Sequence, residues 1–128
     1  MKISCGTDII EINRIGKAIE KNGQTFLEEI YTKNEIQYCE SRKNLKYQHY
    51  AARFAAKEAI FKAVNGLLKD RFDLKWKNME ILNNKNGRPE VYFIDIKIPQ
   101  IISIDISISH CKEYAVANVV MLYKEGVE

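Results

Sequence analysis

The sequence has little of what marks a secreted, membrane-spanning or zinc-binding protein. It holds three cysteines, Cys5, Cys39 and Cys111. The number is odd, and no pair has metal-ligand or redox spacing. They are expected to sit as small apolar residues in a reducing cytoplasm. With only His49 and His110 available, a zinc site is not expected. No apolar run is long enough to span a bilayer, and no signal peptide is read at the start, which enters a strand-like pattern at once. Nor is there an excess of charge. Twenty basic and 17 acidic residues leave a net +3, too mild to announce nucleic acid by itself. Repeats, low-complexity segments and linkers are absent.

What remains is 128 residues, 46% hydrophobic and 29% charged, as in one globular domain with a real core. The centre of the chain is Arg53-Phe54-Ala55-Ala56-Lys57-Glu58-Ala59-Ile60-Phe61-Lys62. Residues 47–65 lack Pro and Gly, are rich in Ala, and stop at Gly66, which predicts a long helix. Ala52, Ala55, Ala56, Ala59 and Ala63 form a smooth stripe that lets another backbone approach. Phe54, Glu58, Phe61 and Lys62 fall on another face. A carboxylate among aromatic rings needs a partner, because burying it unpaired is costly. That partner is either Lys62 at i+4, as a surface pair, or a metal.

Residues 2–12 read as a largely buried strand. Asp8 lies inside it although Asp is depleted in strands. It marks either an edge or hydrogen-bonding turn, or a hard-cation ligand, with Gly6 letting something approach the backbone. Asn13 is the expected cap of a helix over residues 14–21. Arg14, Lys17 and Lys21 share one face of it, either simply solvated or a docking strip for an acidic partner helix. Residues 26–30 give a helical turn, and Thr32 with Glu35 forms a capping box opening a helix through about Ser41. Residues 42–46 are a basic loop which, with Arg53 and Lys57, would concentrate positive charge suited to a polyanion. Residues 76–82 and 90–94 read as strands joined by the Asn83-Asn84-Lys85-Asn86-Gly87 turn. Pro99 limits residues 95–100 to a turn. Ile102, Ile104, Ile106 and Ile108 alternate with polar residues as a half-buried strand ending at His110, and residues 114–122 read as the last strand. His110 is either incidental or a phosphate ligand or acid/base.

Taken together, Gly6-Thr7-Asp8, the Phe54–Lys62 element, Asn86-Gly87-Arg88-Pro89 and Ser107-Ile108-Ser109-His110 resemble the holo-[acyl-carrier-protein] synthases, the short, single-unit class of 4′-phosphopantetheinyl transferases. The resemblance covers essentially the whole chain. It implies an α+β fold, with a small antiparallel sheet packed on one long central helix plus shorter helices. It implies transfer of the phosphopantetheine arm of coenzyme A to a serine of apo acyl carrier protein, with release of adenosine 3′,5′-bisphosphate. Homotrimers with sites in the clefts between subunits are implied too. So are a cytoplasmic location and a Mg²⁺ held by Asp8 and Glu58, since Mg²⁺ prefers one or two carboxylates plus phosphate and water. Lys62 would reach the phosphate, and His110 would bind phosphate or assist proton transfer. Arg53, with Lys46, would meet the 3′-phosphate, and Gly87, Arg88 and Pro89 would line the adenine and phosphate wall. Arg14 would hold the acidic recognition helix of the carrier, and Lys17 and Lys21 extend that strip on geometry alone. The chain departs from the family at Cys111 and His49, and in the brevity of the segment around Pro99. Competing with this is a small nucleic-acid-binding module, in which Tyr47, His49, Tyr50 and Phe54 stack bases. A third possibility is a noncatalytic scaffold.

Overall fold

The backbone of the first strand touches the backbone of the long helix, and a glycine makes that possible. The computed structural model describes residues 1–70 and 72–126. In it β1 (Lys2–Glu11) lies against α4 (Lys46–Val64). A methyl group at Gly6 would overlap the carbonyl oxygen of Ala59 and crowd the amide of Ala63. Ser4 Oγ donates to the Ala63 carbonyl at 2.7 Å. What approaches Gly6 is therefore helix backbone, and the stripe of Ala52, Ala55, Ala56, Ala59 and Ala63 is the buried surface that allows it.

β1 pairs antiparallel with β5 (Tyr114–Tyr123), which pairs antiparallel with β4 (Ile101–His110). Ala117, Val119 and Met121 of β5 and Ile106 of β4 pack with Ala55, Ala56, Ala59 and Ala63 in one core. The hairpin of β2 (Met79–Asn83) and β3 (Pro89–Phe93) forms a separate two-stranded sheet. α1 (Ile12–Asn22), α2 (Gln24–Ile30) and α3 (Lys33–Ser41) close the other end of α4. There Ile12, Ile15, Ile19, Leu27 and Ile30 pack with Tyr31, Cys39 and Tyr50. The expected α+β architecture is present.

Several local expectations are corrected. Asn13 is not a cap. α1 begins at Ile12, whose N–H donates to the Glu113 carbonyl at 2.9 Å, so the turn before β5 satisfies the helix start. Residues 76–78 form a 3₁₀ turn rather than strand. Ile102 is displaced outward at a break in register between Ile101 and Ser103, where one extra residue is inserted. Of the cysteines only Cys39 is buried. The Thr32–Glu35 capping box does form.

Lys57 is not part of a basic surface. Its ammonium and the Glu35 carboxylate are both wholly buried and meet at 2.6 Å. Lys57 Nζ also donates to the Ile30 carbonyl at 2.7 Å, and Glu35 Oε2 accepts from the Ile81 N–H at 2.8 Å. Burial pushes the Lys57 ammonium below its ordinary value, and Glu35 opposes that shift. This pair ties α4 to α2, α3 and β2. Removing one partner strands a buried charge, so Lys57→Met is expected to lose about 3–5 kcal/mol in urea unfolding at fixed protein concentration. A loss below about 1 kcal/mol would show that the pair is dispensable.

Candidate active site

Asp8 stands two residues beyond Gly6, and Glu58 one residue before Ala59. Side chains on a strand repeat every two residues, so Asp8 shares the helix-facing side with Gly6. Both carboxylates line one cavity of about 610 Å³, together with Glu11, Arg14, Phe26 and Phe54. Glu58 also borders a second cavity, of about 810 Å³, with Phe61, Lys62, Leu68, Leu74 and Trp76. It is thus the wall between a charged cavity and a more apolar one. The rings beside it are accounted for by Trp76, which stacks on Phe54 at 5.0 Å and meets Phe61 edge-on at 5.1 Å. Trp76 was not singled out from the sequence.

Lys62 does not pair with Glu58 one turn back. Its ammonium reaches across to β1, 2.8 Å from the Thr7 carbonyl and 3.3 Å from Asp8 Oδ1. Burial pushes the Glu58 carboxyl up, the nearby Asp8 charge adds to the rise, and Lys62 opposes it. Glu58 therefore holds its negative charge reluctantly in a site that a second cation would relieve. Among the described residues no group of three or more His, Cys, Asp and Glu is arranged to hold a metal. Two carboxylates fit a hard divalent cation that keeps phosphate and water among its ligands.

The remaining candidates fall into other groups. Arg14 lines the charged cavity, while Lys17 and Lys21 follow it along the exposed side of α1. Arg53 is only 3% exposed. Its Nε donates to the Ile81 carbonyl at 3.2 Å, and its guanidinium lies over the Tyr38 ring. His49 meets the same tyrosine edge-on, and His110 stands edge-on to His49 at 6.0 Å. Tyr38, the hub of this cluster, carried no distinguishing signal in the sequence. Lys46 lies apart from it, paired with Glu40 at 3.4 Å. In the turn between β2 and β3, Gly87 has φ +82°, a conformation that excludes most side chains. Arg88 beside it pairs with Asp105 at 2.8 Å, and Pro89 opens β3. His110 does not join Asp8, Glu58 and Lys62 within one chain. Its neighbour His49 precedes Glu58 by nine residues of α4, or about 13 Å at 1.5 Å per residue.

The rings invoked for base stacking are otherwise engaged. Tyr50 is buried with its hydroxyl on Glu40, Tyr47 donates to Glu20, and Phe54 stacks on Trp76. No helix is long and apolar enough to cross a membrane among the described residues.

Known proteins place this arrangement in a family. The family model of the 4′-phosphopantetheinyl transferase superfamily matches residues 4–119. A holo-[acyl-carrier-protein] synthase of Ruminiclostridium cellulolyticum is 46% identical over 128 residues, covering 94% of this chain and 92% of its own. A crystal structure of a holo-(acyl-carrier-protein) synthase from Bacillus anthracis, in complex with CoA (3′,5′-ADP), is 39% identical. It superposes with a TM-score of 0.75 over 92% of this chain and 94% of that one. The fold is shared as well with a Chronobacterium ammoniagenes protein at 22% identity, with a TM-score of 0.83 over 98% of this chain and all of that one. This chain therefore belongs to the 4′-phosphopantetheinyl transferase superfamily, among its holo-[acyl-carrier-protein] synthases.

Proposed function

We propose that this chain is a Mg²⁺-dependent holo-[acyl-carrier-protein] synthase whose cation is held by Asp8 and Glu58. It transfers the 4′-phosphopantetheine arm of coenzyme A to a serine of apo acyl carrier protein. The serine oxygen bonds to the β-phosphorus, and the bond from that phosphorus to the bridging oxygen breaks. The serine hydroxyl loses its proton, and adenosine 3′,5′-bisphosphate leaves. The observation that carries this reading is the convergence of Asp8 and Glu58 on one cavity with Lys62 held at Asp8. Bound there, Mg²⁺ would neutralise charge on the pyrophosphate oxygens, which with positioning is most of what phosphoryl transfer asks of a protein. Lys62 lines the apolar cavity and presents its half-exposed ammonium as a point charge for phosphate. Arg14, on the charged cavity, would hold an acidic helix of the carrier so that its serine enters beside Glu58, and Lys17 and Lys21 would continue that contact.

We further propose a homotrimer with sites between subunits. Two observations support it. The sheet face turned away from α4 is uncovered and apolar in part, with Ile3 73%, Ile9 65% and Val120 53% exposed. His110 also stands away from Asp8 and Glu58 in a single chain, so a neighbouring copy is the means of uniting them.

Incubation with apo acyl carrier protein, coenzyme A and Mg²⁺ should add the mass of the arm to the carrier. Glu58→Gln should lower transfer on the order of 100-fold or more. The same change should raise the melting temperature without divalent ions at pH 8. The native fold raises the proton affinity of Glu58, so its contribution to stability is full at low pH and is lost as pH rises through the raised value. The advantage of the variant should vanish below the ordinary carboxylate range, and Mg²⁺ should stabilise only the wild type. A variant no more heat-stable than wild type at pH 8 would argue against a strained carboxylate pair.

Arg14→Glu should weaken carrier binding about tenfold and leave coenzyme A affinity intact. Equal loss of both would refute the docking role. Co-assembly of Glu58→Gln chains with His110→Ala chains, each inactive alone, should restore about a quarter of wild-type activity if neighbouring copies share a site. No recovery in mixed oligomers would place both residues in the same copy's site.

A further inference from the structure

Among the described residues, the charged and imidazole side chains that meet the Tyr38 ring are all basic. The guanidinium of Arg53 lies 4.4 Å from its ring centroid and that of Arg42 at 5.8 Å. His49 meets the ring edge-on at 5.4 Å, and His110 stands edge-on to His49 at 6.0 Å. The charged groups acting on His49 are Arg53 from its own helix, Arg42 from the end of α3 and His110 from β4. Burial first, and then these three neighbours, hold the His49 imidazole down to about 4, so it is neutral at pH 7. Arg53 is 3% exposed, and its Nη2 has no hydrogen-bond partner. It joins no ion pair among the described residues. Leaving a buried guanidinium nitrogen without an acceptor is costly. Basic groups converging on one ring, with a donor left over and no carboxylate among the described residues to meet it, make a site suited to an anion.

We propose that His49 acts with Arg53 and His110 on a phosphate monoester dianion and takes up a proton as that dianion binds. This rests on coenzyme A being the donor. In coenzyme A the 3′-phosphate is the one monoester, and its second ionisation lies near neutral pH, whereas each phosphorus of the pyrophosphate bridge carries a single charge. A dianion beside His49 reverses the field of its three basic neighbours and favours the imidazolium, which then donates to the anion as a charged group. His49 thereby distinguishes a donor with the 3′-phosphate from one without it, a task that an aromatic hydrocarbon at this place cannot perform.

The test is calorimetric titration of the intact protein at pH 7 with coenzyme A and with 3′-dephospho-coenzyme A, in buffers of different ionisation enthalpy. The dependence of the observed heat on the buffer counts the protons taken up. Wild type should take up on the order of half a proton more with coenzyme A than His49→Gln or His49→Phe. That difference should be absent with 3′-dephospho-coenzyme A. Both variants should bind coenzyme A about tenfold more weakly, with little change for the dephospho ligand. His49→Phe keeps the ring contact with Tyr38, so a loss common to both variants reports the imidazole and not the packing. Equal proton counts in wild type and variants, or equal counts for the two ligands, would overturn the proposal while leaving the donor assignment standing. Failure of wild type to bind coenzyme A at all would overturn the donor assignment and this proposal with it.

Discussion

The buried pair of Lys57 and Glu35 is the constraint on which the orientation of the site depends. Consecutive residues of a helix point about 100° apart. Once Lys57 is fixed inward on Glu35 and the Ile30 carbonyl, Glu58 is turned toward β1. Rotation of α4 about its axis would break the pair, and an uncompensated buried charge costs more than the pair itself contributes. Glu35 extends the constraint, because it also accepts from the N–H of Ile81 while Arg53 donates to the carbonyl of the same residue. Both main-chain polar groups of Ile81 in β2 are thus held by side chains of the helices. The hairpin, the third helix and the central helix are locked together by polar atoms inside an otherwise apolar core.

The molecule divides its charged chemistry between the two ends of α4. Near the C-terminal end lie Asp8, Glu58 and Lys62, a pair of carboxylates with one ammonium. Near the N-terminal end lie Arg42, His49, Arg53 and His110, all basic. The first suits a divalent cation on a diphosphate, the second an anion. Coenzyme A carries a pyrophosphate and a separate monoester, so its two kinds of phosphate call for these two kinds of environment. The distance between them along the helix underlies the proposal that a neighbouring copy of the chain completes the site.

Much of this was legible in the residues. The Ala stripe, the Thr32–Glu35 capping box and the Asn-Gly turn each carry a local mechanism and formed as expected. So did the awkwardness of Asp8 in a strand and Glu58 among aromatic rings, which the structure brings to one cavity. The interior polar network was not legible. Lys57 and Arg53 read as surface charge because basic residues seldom lie fully inside, and nothing local in the sequence announces that Glu35, 22 positions before Lys57, will meet it. Tyr38 and Trp76 escaped notice for a related reason: a single ring becomes a hub only through partners distant in sequence. Ile102 was misplaced because alternation alone cannot reveal an inserted residue.

The contact of Gly6 with Ala59 has a further consequence. It joins main chain to main chain, with no flexible side chain between, and each partner is within two residues of a carboxylate. The span between Asp8 and Glu58 is therefore set by the close approach of two main chains and not by flexible side chains between them. Side chains in the surface loops and at the rims of both cavities can change in this chain without altering that approach.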